Sequence, residues 1–225
     1  MIRALIFDFD GLIVDTESTE LRAWEDVFLE YGCRLEPEAW ADCIGRPPGS
    51  FDPVEYLASL TATVVDPVDL GNAVRQRARA MAYQQPLLPG VMRWLNDARD
   101  LGIATGIVSS SGRHWINSHL QRLGIRNRFA HIVSREDTTA HKPDPAPYRA
   151  MAALLEVDPE EAAVLEDSPH GVAAAIAAGM WCVAVPGPVT RQLDFGPATR
   201  TIQSLDETTL EDLIGWVERN RADQG

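Results

Sequence analysis

The chain has 225 residues, of which 45% are hydrophobic and 24% are charged, so it can bury a full core and is predicted to form one domain, with room for a sizeable insertion. Its formal net charge of -13 argues against partners such as nucleic acid or an anionic membrane, and an anionic ligand would need a local positive site. Three cysteines without metal-binding spacing indicate free thiols in a reducing cytosol.

The first residues do not resemble a targeting segment. Asp8 and Asp10 interrupt the apolar run of residues 2–14, and no small-residue cleavage site follows it. We therefore expect a cytoplasmic protein, either a monomer or a weak homodimer, that does not bind membranes.

A buried strand is the first predicted element. The apolar run from Ala4 to Asp8 leads to Asp10-Gly11, a dipeptide that favours a turn. Asp8 and Asp10 are therefore expected at the C-terminal end of this strand.

Residues 16–85 are predicted to be mainly helical. One helix has the three-and-four spacing of a buried face and is followed by Gly32, which is placed to end it. Two later helices are each expected to begin at an aspartate N-cap, with proline at the first helical position. These features lie at Leu21, Trp24, Phe28 and Tyr31, at Asp52-Pro53, and at Asp66-Pro67.

From Pro89 onwards, short apolar strands alternate with helices of about ten to fifteen residues. This alternation predicts an α/β fold with a parallel, doubly wound sheet, so the preceding helical stretch is an insertion after the first strand. The later predicted strands cover residues 103–108, 131–133, 162–165 and 181–185.

Polar side chains follow several of the predicted strands. In open α/β sheets, ligands bind beyond the carboxyl ends of the strands, so these side chains are expected to share one crevice. Lys142, in a loop before a helix, is the only lysine in the chain and is expected to join them. The other members are Asp8 and Asp10 after the first strand, Ser109 after the second, and Glu166 with Asp167 after a later one.

The segment from Asp8 to Thr16, which begins Asp-Phe-Asp-Gly, resembles the first motif of the haloacid dehalogenase superfamily. The resemblance continues in order through Ser109, Lys142-Pro143 and Glu166-Asp167-Ser168, the second, third and fourth motifs. It covers essentially the whole chain.

The helical insertion resembles the small cap of the β-phosphoglucomutase-like subgroup. The resemblance implies a Rossmann-like core domain of residues 1–15 and 86–225, with an inserted α-helical cap domain of residues 16–85.

The resemblance also implies a magnesium-dependent phosphatase. It would hydrolyse a small phosphorylated metabolite, a sugar or polyol phosphate, through an aspartyl-phosphate intermediate. Asp8 would be the nucleophile, and Asp10 the general acid and base. Mg²⁺ prefers oxygen ligands, which Asp8, Asp167 and the backbone carbonyl of Asp10 would supply, with Glu166 in support.

Phosphate binding is expected from a lysine, two hydroxyls and a glycine-containing turn. These are Lys142, Ser109, Ser110 and Gly11. Substrate contacts from the cap are predicted at Arg46, Glu17 and Glu20.

Other residues are interpreted as structural. Asp15 is expected to form a turn or an N-cap, and Trp24 and Trp40 to belong to the core. The histidines lack metal-ligand spacing and are expected at the surface or in loops. They are His114, His119, His131, His141 and His170.

Four other functions agree less well with these residues than a phosphatase does. The pattern of haloacid dehalogenases lacks a second aspartate, so Asp10 argues against dehalogenation, and a phosphonoacetaldehyde hydrolase needs a cap lysine that this chain does not have. A β-phosphoglucomutase remains the alternative, although Glu20 stands where its pattern has histidine. A binding module without activity would not need Asp8, Asp10, Lys142 and Asp167 together.

Overall fold

The chain divides into two units. One combines Met1–Val14 with Pro86–Gly225, and the other is Asp15–Gln85. The structure is a computed structural model, and it describes residues 1–36, 39–40, 52–63 and 66–222.

The larger unit is built on a six-stranded sheet. Its strands are β1 (Ala4–Phe7), β2 (Ala104–Val108), β3 (His131–Val133), β4 (Ala162–Glu166), β5 (Trp181–Ala184) and β6 (Arg200–Thr201). Their order is β3-β2-β1-β4-β5-β6, and each neighbouring pair is parallel. The predicted doubly wound α/β fold is confirmed. Only β6 lacked a sequence signal, because two residues are too few to show a pattern.

Three helices are described in the smaller unit, namely α1 (Glu17–Glu30), α2 (Pro53–Leu60) and α3 (Pro67–Ala82). Both predicted aspartate N-caps are confirmed: Asp52 Oδ1 accepts a hydrogen bond from Val54 N at 2.8 Å, and Asp66 Oδ1 accepts from Val68 N at 2.9 Å. Trp24 and Trp40 are buried, as the sequence predicted.

Among its described residues, the larger unit has five further helices and two 3-10 turns. The helices are α4 (Val91–Asp100), α5 (Arg113–Arg122), α6 (Ala146–Leu155), α7 (Pro169–Ala177) and α8 (Leu210–Ala222), and the turns are Arg126–Arg128 and Pro159–Glu161. Successive side chains of a strand point to opposite faces of the sheet. Leu5 and Phe7 accordingly pack with α4, α5 and α8 on one face, while Ala4 and Ile6 pack with α6 and α7 on the other. The sheet is therefore covered on both sides, and its loops meet the solvent at the strand ends.

None of the helices among the described residues combines the length and the apolarity needed to cross a membrane.

Candidate active site

The carboxyl ends of β1 and β4 lie side by side where the strand order reverses. Phe7 pairs with Leu165 in the parallel register, and the backbone N–H of Asp8 donates to the Leu165 carbonyl at 2.9 Å. In doubly wound sheets, ligands bind at this switch point. The fold therefore brings together the polar residues that follow these two strands.

Three buried carboxylates meet at this edge of the sheet. Asp8, Glu166 and Asp167 are 7%, 0% and 4% exposed, and their ligand oxygens all lie within 4.8 Å of one another. Like charges this close in a buried site repel one another unless cations offset them. The oxygen donors and the negative charge of this cluster fit a hard divalent cation such as Mg²⁺.

Lys142 connects the acidic cluster to the end of β2. Its Nζ donates to Asp8 Oδ1, to Glu166 Oε1 at 2.6 Å and to the Val108 carbonyl at 2.9 Å. Burial lowers the pKa of Lys142, but the charges of Asp8 and Glu166 outweigh burial and raise that pKa above its ordinary value. The ammonium therefore stays charged. Burial raises the pKa of Asp8, and the charge of Lys142 lowers it. The effect of burial is larger, because Lys142 is shared between two carboxylates, so the pKa of Asp8 stays above its ordinary value.

Glu166 is held by hydrogen bonds on both of its carboxylate oxygens. Tyr148 Oη donates to Oε1 at 2.6 Å, and the hydroxyl and backbone N–H of Ser168 donate to Oε2 at 3.0 and 3.2 Å. The start of α7 also passes very close, since a Cβ placed on Gly171 would lie 1.8 Å from Oε1. This carboxylate can therefore change position only if its surroundings move.

Asp10 is half-buried and is held by the segment that follows β2. Ser111 Oγ and Ser109 Oγ donate to Asp10 Oδ2 at 2.6 and 3.3 Å, and Trp115 Nε1 donates to Asp10 Oδ1 at 3.0 Å. The two aspartates of the first motif thus have separate partners. Asp8 is paired with an ammonium, while Asp10 accepts hydrogen bonds from neutral donors.

The predicted phosphate-binding residues surround the two aspartates. Ser109 is buried and accepts a hydrogen bond from Ser111 N at 2.9 Å, whereas Ser110 is exposed. Gly11 has φ of 76°, and a Cβ there would lie 1.9 Å from Asp167 Oδ2, so only glycine fits this turn. Phosphate binding by these residues stays a prediction.

The substrate residues predicted in the cap belong to the smaller unit. Glu17 and Glu20 lie in the first turn of α1, and Arg46 lies outside the described residues. Asp15 Oδ1 accepts a hydrogen bond from Ser18 N at 2.9 Å, which confirms its structural role at the start of this helix.

The predicted position of His119 at the surface or in a loop is wrong. This residue is fully buried in α5, where its ring packs between Phe9 and Trp115 at centroid distances of 5.7 and 4.1 Å. Four residues separate Trp115 from His119, which is the spacing that places two side chains on one helix face.

Three residues of the site were not recognised in the sequence. In the sequence, Ser111 is part of a run of three serines, and Trp115 and Tyr148 have the spacing of apolar helix faces. A signal was nevertheless present: both aromatic residues carry a polar atom that needs a partner when buried, and both lie near the start of a helix that follows a predicted site residue.

Comparison with known proteins agrees with this geometry. The sequence profile of haloacid dehalogenase-like hydrolases matches residues 5–185. The YhcW protein of Bacillus subtilis is 38% identical over 214 residues, covering 95% of this chain and 97% of that protein. Hexitol phosphatase B of Escherichia coli is 33% identical over 219 residues, again covering 95% and 97%. The crystal structure of CbbY from Rhodobacter sphaeroides in complex with phosphate has a TM-score of 0.70 and 27% identity, covering 94% of this chain and 98% of that one.

The profile match extends over most of the chain and contains all four motifs identified in the sequence. This protein therefore belongs to the haloacid dehalogenase-like hydrolase family.

Proposed function

We propose that this phosphoric monoester hydrolase removes phosphate from a small sugar or polyol phosphate, with Asp8 as the nucleophile and Asp10 as the general acid and base. The arrangement of these two aspartates carries the proposal. Asp8 is buried against Lys142 in a cluster of acids, whereas Asp10 accepts hydrogen bonds from neutral donors. These different surroundings support a nucleophilic role beside a charged ammonium for Asp8 and a proton-transfer role for Asp10.

Asp8 and Asp167, with the backbone carbonyl of Asp10, would hold the Mg²⁺ ion. Glu166 would fix the position of Lys142 by accepting its hydrogen bond. The observation that supports this assignment is the buried trio of carboxylates, whose negative charge exceeds the single positive charge of Lys142. When bound, Mg²⁺ would offset the charge of the phosphate oxygens.

In the first half of the reaction, a carboxylate oxygen of Asp8 forms a bond to phosphorus as the ester bond breaks. Lys142 and Ser109 stabilise the charge on the phosphoryl oxygens, and Asp10 gives its proton to the departing alcohol oxygen. In the second half, Asp10 takes a proton from water, which attacks the aspartyl-phosphate. Phosphate leaves, and Asp8 and Asp10 return to their starting protonation states.

The relatives that cover nearly the whole chain support the proposed substrate class. Hexitol phosphatase B, by its name, acts on a phosphorylated sugar alcohol, and a small polyol or sugar phosphate is the corresponding proposal here. We also propose that residues 16–85, with Arg46, Glu17 and Glu20, contribute to choosing among such substrates.

The proposal is tested by measuring phosphate release from a panel of sugar and polyol phosphates, with Mg²⁺ or with EDTA. Asp8→Asn should reduce turnover at least about 1000-fold, because a neutral amide cannot form the phosphoenzyme. It should remain folded, since Lys142 keeps its contacts with Glu166 and the Val108 carbonyl, and the amide removes a charge that burial disfavours. Asp100→Asn, which changes an exposed acid whose side chain is 65% accessible, is the control and should leave turnover unchanged. Full activity of Asp8→Asn, or of the wild-type enzyme in EDTA, would refute the nucleophile or the metal respectively.

A second assay separates hydrolysis from phosphoryl exchange. The enzyme is incubated with β-glucose 1-phosphate, a trace of the 1,6-bisphosphate and Mg²⁺, and glucose 6-phosphate and free phosphate are followed separately. We expect hydrolysis, because Glu20 is acidic where the mutase pattern has histidine. Rapid formation of glucose 6-phosphate with little free phosphate would establish the mutase alternative.

A further inference from the structure

Trp115 reaches the proposed acid from the first turn of α5. Its indole N–H donates to Asp10 Oδ1 at 3.0 Å, while Ser111 and Ser109 donate to Asp10 Oδ2 at 2.6 and 3.3 Å. The two carboxylate oxygens therefore face different kinds of partner. An indole nitrogen can only donate a hydrogen bond, whereas a hydroxyl can donate or accept.

This difference identifies the oxygen of Asp10 that carries a proton. A proton on Oδ1 would make this atom the hydroxyl oxygen of the acid, which is a poorer acceptor for the N–H of Trp115 than a carbonyl oxygen. A proton on Oδ2 faces serine hydroxyls, which can rotate to accept it. These contacts therefore favour the form of the neutral acid that carries its proton on Oδ2.

Trp115 is itself held by contacts that connect it to the turn after β1, which carries Asp10. His119 lies one turn further along α5, where its ring is 4.1 Å from the indole and its Nδ1 is 3.0 Å from the Trp115 carbonyl oxygen. Phe9 meets the His119 ring edge-on at 5.7 Å, and both side chains are fully buried. Phe9 directly precedes Asp10, so α5 contacts adjacent residues of this turn through one apolar and one polar interaction.

We propose that Trp115 is a positioning residue, which fixes Asp10 Oδ1 and thereby leaves Oδ2 to deliver the proton to the leaving alcohol. In that step the proton moves from Oδ2 to the ester oxygen as the phosphorus–oxygen bond breaks, and Asp10 keeps the negative charge. This inference rests on the proposed phosphatase function. Without the indole N–H the carboxylate can rotate. Hydrolysis should then slow most for substrates whose leaving group needs a proton.

Trp115→Phe removes the N–H and keeps an aromatic ring against His119. Its kcat/KM is compared for the best alkyl phosphate of the metabolite panel and for p-nitrophenyl phosphate, whose leaving group needs little protonation. General acid catalysis contributes about 10²- to 10⁴-fold, so we expect at least about a 10-fold loss for the alkyl phosphate and less than about 3-fold for the aryl phosphate. Trp181→Phe is the matched control, because its indole also donates at 3.0 Å, to the Glu160 carbonyl outside the site. Trp181→Phe should leave the ratio of the kcat/KM values for the two substrates unchanged.

Combining Trp115→Phe with Asp10→Asn completes the test. No proton remains to be positioned in Asp10→Asn, so adding Trp115→Phe should not change the substrate ratio further. Equal losses on both substrates in the single variant, or an additional change of the ratio in the double variant, would overturn the role of Trp115. The phosphatase proposal would then stand, because wild type and Asp10→Asn test it separately. A wild-type enzyme that hydrolyses neither substrate would overturn both. If Trp115→Phe does not fold, Trp115→Leu removes the same N–H and must show the same selective loss.

Discussion

Tyr148 and Lys142 donate to the same oxygen of Glu166, each at 2.6 Å, and the Lys142 ammonium lies 5.2 Å from the centre of the Tyr148 ring. Burial, together with the charge of Glu166, raises the pKa of Tyr148, so its hydroxyl remains a donor. Glu166 is in turn one of two carboxylates that hold Lys142. Tyr148, which has no proposed chemical role, therefore helps to hold the Lys142 ammonium through Glu166.

Tyr148→Phe should destabilise the fold and only moderately slow the reaction. The variant removes a hydrogen bond to a buried charge, which is worth about 1.5–3 kcal/mol, while Lys142 keeps its contacts with Asp8 and with the Val108 carbonyl. The free energy of unfolding is measured in urea. Tyr31→Phe, in the other unit, controls for the loss of a phenolic hydroxyl. If both variants unfold at the same urea concentration as wild type, the Tyr148 hydrogen bond does not stabilise the protein.

Asp167→Asn should raise the Mg²⁺ concentration needed for half-maximal activity. It removes a charged ligand from the buried trio, and the weakening should exceed the about 10- to 100-fold typical of outer-shell partners. The shift in melting temperature caused by Mg²⁺ gives a second measurement that does not depend on turnover. The control is Asp194→Asn, a change to an exposed acid that accepts a hydrogen bond from Gly196 N at 2.8 Å. An unchanged Mg²⁺ requirement in Asp167→Asn would exclude this carboxylate from the metal site.

In EDTA, the stability contributed by Asp8 should fall as the pH rises. Burial raises the pKa of Asp8 above that of an aspartate in the unfolded chain. At a pH between these two pKa values the folded state binds more protons than the unfolded state, so its stability falls as the pH rises. Added Mg²⁺ should stabilise the protein more strongly at the upper end of this window, because the cation competes with a proton. The free energy of unfolding of wild type and Asp8→Asn is compared from about pH 4 to pH 7, around the usual aspartate pKa of about 3.9 and above it. A difference between them that does not vary with pH would contradict the raised pKa.

Two glycines in helices should respond oppositely to alanine. In Gly171→Ala the new methyl group would lie 1.8 Å from Glu166 Oε1 and displace it from Lys142, so we expect a loss of about 3–5 kcal/mol, as for a broken buried ion pair. In Gly215→Ala the nearest atom is the mobile end of Arg219 at 3.3 Å, and the helix should gain about 0.5–1 kcal/mol. Thermal and urea unfolding measure both variants. If Gly171→Ala is as stable as wild type, Glu166 can move without cost and is not the fixed support described here.

Much of this architecture could be predicted because its signals are local. Strand β1 is an apolar run ended by Asp8, and the alternation of strands and helices from Pro89 onwards predicts the parallel pairing that β1 makes with β4. The N-caps at Asp52 and Asp66 are also local, since an aspartate before proline states where a helix begins.

The partners of Asp10 could not be predicted in the same way. Apolar spacing assigns Trp115 to a helix face, but whether its N–H meets the core or a carboxylate depends on how α5 docks against the turn after β1. His119 shows the same limit, since a histidine pattern without metal-ligand spacing carries no information about burial. These contacts arise from packing between distant segments, which periodicity does not encode.

Lys142 supplies the only side-chain amine in the sequence, and that side chain is 7% accessible. An acylating reagent that modifies uncharged amines therefore finds no lysine on the surface to react with first. Because Lys142 is bound to Asp8 and Glu166 and its pKa is raised, native protein should acylate there only through openings that break these contacts. The rate of the mass increase at Lys142 thus measures how often its contacts with Asp8 and Glu166 break, and no substitution is needed to introduce a reactive group.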